Sequence, residues 1–343
     1  MEKINYHGWP ESVRLANEAI ELVALTVVGP RIIRLAFLGG ENMLNEIAET
    51  RGKIGPPDQW TIYGGHRLWH APEISGRTDA PDSDPMEAVT WEKNTVSLVA
   101  KTEKATGIQK EMRVTLGAGL STAVKVEHLL TNHNLWPVEL APWGLTVVAP
   151  GGRVILPQEP YQAHGQKGNF LPARPLVLWP YTDMSDLRWR WGKNYIQLHA
   201  DEALAHPQKI GIYNSHGWGA YERKLEGDLL VIFTQPDLRG ASAYPDYGSN
   251  FETYTAKEFQ ELETLGPTER LEPEQTATHT EYWILFKAAC LPDADEELAQ
   301  ILPALIAEGH AAIQASFFIK KLRATEPPEL VPSAYRIPQL PAE

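Results

Sequence analysis

The chain has 343 residues, with 31 Lys and Arg against 44 Asp and Glu and a formal charge of −13, which argues against nucleic acid or an anionic membrane surface as its main partner. Cys290 is the single cysteine, so an intrachain disulfide and a cysteine-based zinc site are excluded. No apolar run approaches a membrane span and residues 1–7 have no signal-peptide core, so a cytoplasmic protein is expected, long enough for one large β domain or two smaller ones.

Strand patterns dominate up to residue 290. Residues 20–28, 88–91, 95–100 and 109–116 read as strands, with a turn signal at Thr106-Gly107 before the last. Residues 124–136 form a strand that ends in Thr131-Asn132-His133-Asn134. Val124, Val126, His128, Leu130 and Asn132 share one face of it, and Lys125, Glu127, Leu129, Thr131 and His133 the other. Residues 144–149, 209–213, 218–223 and 228–233 continue the set. Residues 244–254 read as a turn feeding a strand that puts Asn250 and Glu252 on one face. Residues 259–265 and 280–286 close it. Many short strands with Gly/Pro-rich turns predict an all-β sandwich or barrel.

Only the end looks helical. Asp293, Asp295, Glu296 and Glu297 suit a helix N-terminus, and Leu298, Ile301, Leu302, Leu305 and Ile306 recur at helical spacing. Pro303 predicts a break or a new first turn there. Residues 327–343 are proline-rich and expected to be extended.

Glu261 and Glu263 point the same way from one strand. Two carboxylates on an apolar strand either face water or mark an acid/base site. His133 is expected at the mouth of its strand, beside a cleft. Asp246 sits in a Pro-Asp turn, His216 in a glycine-flexed loop beside Trp218, and Lys209 on the strand before that loop. With Asn250 and Glu252 they are candidate cleft residues. Eleven tryptophans, Trp69 among them, supply rings that stack on the apolar faces of sugars, or fill a core. No ligand spacing identifies a metal.

The segments Thr131-Asn132-His133 followed by an aromatic, and Leu262-Glu263-Thr264 followed by Pro267, together resemble the galactose mutarotase-like superfamily, which includes the aldose 1-epimerases. Residues 29–35 look like that family's opening strand, and the resemblance covers roughly residues 15 to 287. In place of the family's usual arginine stretch stands a segment with His66, Arg67 and Trp69, so the chain is similar to a divergent branch. The resemblance implies a large antiparallel β-supersandwich over residues 10–290, with a helix in 291–326 packed on it and a tail in 327–343. It implies Glu263 as catalytic base and His133 as acid in opening and closing an aldose ring. Arg67 and His66 would hold sugar hydroxyls, and no cofactor or metal is needed. Two alternatives remain: a non-catalytic carbohydrate-binding protein, or a lyase or hydrolase acting on an acidic sugar.

Overall fold

The computed structural model describes residues 1–165, 171–257 and 259–318. The predicted tail at 327–343, and the part of the predicted helix beyond 318, lie outside these residues. In chain order, β1 (Glu2–Tyr6), β2 (Trp9–Ala16), β3 (Ile20–Leu25), β4 (Arg31–Phe37) and β5 (His66–Ala71) build one flank of a larger sheet. β6 (Ala88–Glu92), β7 (Thr95–Val99), β8 (Ile108–Leu116) and β9 (Ala123–Asn132) form a meander in a smaller sheet. The chain then moves between the two. β10 (Val138–Val148) joins the larger sheet, and β11 (Arg153–Pro157) the smaller. β12 (Leu176–Leu178) goes to the larger, and β13 (Trp189–Trp191) and β14 (Tyr195–His199) to the smaller. β15 (Gln208–Ile212) returns to the larger sheet before β16 (Trp218–Arg223) and β17 (Asp228–Thr234) extend the smaller. β18 (Phe251–Ala256), β19 (Phe259–Leu265) and β20 (Glu269–Leu271) complete the larger, and β21 (Thr276–Phe286) the smaller.

The larger sheet has eleven strands in the order β1-β2-β3-β4-β5-β10-β19-β18-β15-β12, with β20 beside β10. The smaller has ten, in the order β13-β14-β11-β16-β17-β21-β9-β8-β7-β6. The sheets face each other across an apolar layer. Leu22, Leu35, Leu68 and Leu262 of the larger sheet and Val126, Leu130, Leu230 and Trp283 of the smaller belong to it. β9 shows why the sequence pattern works: apart from Ala123 at its start, its buried residues are Val124, Val126, His128, Leu130 and Asn132, the five that share one face. β5, β10 and β19 differ. Nearly all their residues are buried, on both faces. Something therefore covers the outer face of the larger sheet at its centre.

A single helix, α1 (Asp295–Phe317), follows the last strand. Leu298, Leu302, Ile306 and Ile313 form a stripe that packs with Val231, Phe233 and Ile284 on the outside of the smaller sheet. Gly309 lets the helix approach closely, since a Cβ there would lie 2.9 Å from the Phe233 ring. The Asp295 carboxylate accepts from the backbone N–H groups of Lys193, Asn194 and Tyr195, which fixes the helix start to the β13–β14 turn. The break expected at Pro303 does not occur. Pro303 is exposed and lies inside a continuous helix, so the missing N–H costs one bond while the apolar stripe stays docked. No helix among the described residues is long and apolar enough to cross a membrane.

Candidate functional site

Strand alternation builds the site. On β5, Leu68 enters the layer between the sheets, so Arg67 and Trp69 face outward. On β19, Leu262 is inward, so Glu261 and Glu263 are outward. β10 lies between them and presents Trp143 and Leu145 on the same outer face. β18 adds Glu252 and Tyr254 opposite Glu263 and Glu261, and β15 adds Lys209 opposite Tyr254. Of these side chains, all but the fully buried Glu252 and Glu263 form the floor of an outer cleft of about 370 Å³. Its walls come from connecting segments, through Trp60, Glu73 and Tyr181.

The two carboxylates of β19 are buried, not wet, and each has its own cation. Arg67 donates from Nη1 to Glu261 Oε1 at 2.9 Å. Lys209 donates from Nζ to Glu263 Oε2 at 2.8 Å, and Trp143 donates from Nε1 to the same oxygen at 3.0 Å. The Lys209 ammonium also lies 2.8 Å from Glu252 Oε2, yet neither oxygen of Glu252 accepts a hydrogen bond of good geometry. Rings pack around both cations. Arg67 lies 4.6 Å from the Trp69 centroid, and Lys209 lies 4.8 Å from those of Trp143 and Trp179. Burial pulls the Lys209 ammonium down, but Glu252 and Glu263 more than reverse this and hold it charged. Burial pushes the carboxyls of Glu252 and Glu261 up, against the pull of Lys209 and Arg67 respectively. Glu73 and Asp246 are pushed up as well, chiefly by burial and with help from Glu263.

Of the residues singled out in the sequence, the cleft unites Arg67, Trp69, Lys209 and Glu261, with Glu263 and Glu252 fully buried behind Lys209. Asp246 does not line the cleft, although it lies near enough to Lys209 and Glu263 to feel their charge. Four others lie elsewhere. His133 follows the end of β9, in the smaller sheet. It is bound to Glu274 at 3.0 Å and Gln109 at 3.3 Å and does not line the cleft. His66 precedes Arg67 on β5, so alternation turns it inward. Asn250 clasps the backbone of Asn214 at 2.8 and 3.0 Å. His216 bonds the Gln158 carbonyl and lines a different cavity, of about 580 Å³, beside α1.

His66 belongs to a polar layer between the sheets. Its Nε2 meets Nε2 of His128 at 2.7 Å, and its Nδ1 meets the Thr146 hydroxyl at 2.9 Å. His128 uses Nδ1–H on the His279 carbonyl at 3.1 Å. Thr264 links the His279 ring to Glu281, and Trp283 donates to Glu281 at 2.6 Å. Burial drives His66 far down, His128 to about 4 and His279 to about 3, and lifts Glu281 to about 7. His66, His128 and Glu281 are the group of described residues that could hold a metal. However, two nitrogens on a tetrahedral zinc stand about 3.3 Å apart, given Zn–N bonds of about 2.0 Å. The 2.7 Å contact is a hydrogen bond, with one ring donating and the other accepting.

Sequence reasoning missed Glu73, Tyr181 and Trp60. They arrive from loops without a recurring pattern, whereas Tyr254, in the floor, could have been found by alternation with Glu252. No family model matches the chain, and no curated protein matches it. Solved structures do. A galactose mutarotase-like protein from Lactobacillus casei ATCC 334 superposes over 80% of this chain and 100% of its own, with a TM-score of 0.51 at 9% identity. The chain has the galactose mutarotase-like fold. A candidate aldose 1-epimerase from Klebsiella pneumoniae subsp. pneumoniae MGH 78578 shares the mutarotase-like fold, covering 87% of this chain and 86% of its own, with a TM-score of 0.56 at 11% identity. A TPR-domain containing protein from Parabacteroides distasonis ATCC 8503 matches 83% of this chain with a TM-score of 0.52 at 12% identity, and this chain spans 49% of it, about half its length.

Proposed function

We propose that this protein binds a monosaccharide in the outer cleft of its mutarotase-like fold. The observation that carries this reading is a cleft of about 370 Å³ whose floor is two oriented ion pairs and whose walls are indole rings. That volume lies in the range of small-molecule sites. Arg67 Nε, Trp60 Nε1 and Trp69 Nε1 are buried donors with no hydrogen-bond partner among the described residues. Hydroxyl oxygens of a sugar would satisfy such donors, and the indole faces would take its C–H face. The ion pairs keep the polar groups in place before the ligand arrives, which lowers the cost of ordering them.

A second reading, that the protein interconverts the anomers of this sugar, is favoured by Glu263. Lys209 and Trp143, which both line the cleft, hold its carboxylate directly beneath the floor, as the candidate base for an anomeric hydroxyl. The ring oxygen needs a proton in the same step. His133 sits away from the cleft, so that role falls to a group lining it, Tyr181 or Glu73. A thermal-shift screen of monosaccharides tests the first reading, because a sugar at 100 times its Kd adds about 2.7 kcal/mol of stability. Trp69→Ala should abolish the shift. Polarimetry on the best binder tests the second: Glu263→Gln should slow anomerisation at least tenfold, about 1.4 kcal/mol of barrier, with binding retained. No shift with any sugar contradicts the first reading. Binding without anomerisation by the wild type contradicts the second alone.

A further inference from the structure

We propose that the ligand of the outer cleft is an amino sugar, carrying a protonated amine among its hydroxyls, and not a uronate or a sugar phosphate. This rests on the monosaccharide reading and names the class within it. The charges at close range decide the class. Two side-chain cations, Arg67 and Lys209, line the cleft. Both are taken: Arg67 by Glu261 at 2.9 Å, Lys209 by Glu252 and Glu263 at 2.8 Å each. Three carboxyl groups thus already face two cations.

Glu73 and Asp246 add two more. Glu73 lines the cleft, and both acids lie close enough to Lys209 and Glu263 to feel their charge. Neither forms an ion pair among the described residues, and the charge of Lys209 reaches both without contact. Asp246 is held in place by an unusual turn. Asp246, Tyr247 and Gly248 have φ of 49°, 56° and 97°, a left-handed run that only glycine adopts without strain.

The consequence for a ligand is direct. A carboxylate or phosphate seated on the free N–H donors of Arg67, Trp60 and Trp69 would add negative charge to a cleft whose two cations are already paired and whose buried acids are already pushed toward their neutral form, and like charges at an interface are strongly disfavoured. An ammonium in the same cleft meets unpaired carboxylates and the indole faces that already hold Arg67 and Lys209. Hydroxyls of the same ligand remain free to accept from the three donors.

The test is isothermal titration of the full chain with matched sugars: glucose, glucosamine, N-acetylglucosamine, glucuronate and glucose 6-phosphate, with the galactose counterparts. The titrations run in low salt at about pH 6.5, below the pKa of an ordinary amine. In at least one sugar series the amine should bind tenfold or more tighter than its neutral parent, and the acids weaker than that parent. N-acetylation should remove the gain, because it removes the charge and keeps the substituent. Asp246→Asn and Glu73→Gln should each narrow the amine-to-acid ratio, and added salt should narrow it too. A uronate or phosphate binding as tightly as its neutral parent overturns the inference, as does an amine no tighter than its parent. Either result leaves monosaccharide binding standing, whereas no binding by any sugar removes both.

Discussion

Two carboxylates, Glu252 and Glu263, share the Lys209 ammonium at 2.8 Å in a layer from which water is almost excluded. Removing one partner of a buried ion pair leaves the other charge uncompensated, which typically costs about 3–5 kcal/mol. Lys209→Met should therefore destabilise the fold by about that much in urea at neutral pH. The deficit should shrink at pH 5, where the stranded carboxyls can take up protons. Adding Glu252→Gln should recover part of the loss. A change below about 1 kcal/mol for Lys209→Met would mean that the trio is not the buried ion pair described above. Arg67 and Glu261 form the simpler case, one cation on one carboxylate, with Trp69 against the guanidinium.

At the scale of elements, β5, β9, β19 and β21 meet in the polar layer of His66, His128, His279, Thr264 and Glu281. The groups facing His279 are His128, which stacks on it at 5.7 Å, and Thr264, which bonds its Nε2 at 2.7 Å. Burial lowers His279 to about 3, below its ordinary 6.5. The unfolded chain therefore binds a proton between about pH 3 and 6.5 that the folded chain refuses, so this residue makes stability fall as pH drops through that window. Glu281, lifted to about 7, acts in the opposite sense. A comparison isolates the histidine. The stability of His279→Gln relative to wild type should rise by about 2 kcal/mol between pH 6.5 and 5, at about 1.4 kcal/mol per unit per proton. Parallel pH profiles in urea denaturation would contradict the neutral, buried state of His279.

Strand existence and the faces of β9 were legible because alternation is local, whereas β19 is buried on both faces, which alternation alone does not show. The same rule, applied to His66 and Arg67, shows that neighbours on one strand cannot share a cleft. His133 was misplaced for another reason. A motif at the end of a strand does not say which sheet the strand joins, and β9 joins the sheet that lacks Glu263. Pro303 was overruled by tertiary packing, since Leu302 and Ile306 on either side of it are docked on the smaller sheet. The abundance of tryptophan was informative, but it did not say which rings face a ligand. Trp143 and Trp179 both lie against Lys209, while Trp218 packs with Tyr195 near the other cavity.

On the scale of the whole molecule, two cavities compete for a ligand. The one beside α1, of about 580 Å³, is larger than the outer cleft. Its acidic residue, Glu159, is engaged by the hydroxyl of Ser215 at 2.8 Å, and among the described residues no pair of carboxylates opens into it. The outer cleft lies at the centre of the larger sheet, over strands buried on both faces, where ion pairs and rings are held most firmly. The most direct measurement is a crystal structure of the protein soaked with the tightest sugar from the screen. The account predicts the sugar in the outer cleft, its ring against Trp69 or Trp143 and its hydroxyls on Arg67 and Trp60. Sugar bound beside Tyr161 and His216 under α1, with the outer cleft empty, would contradict it.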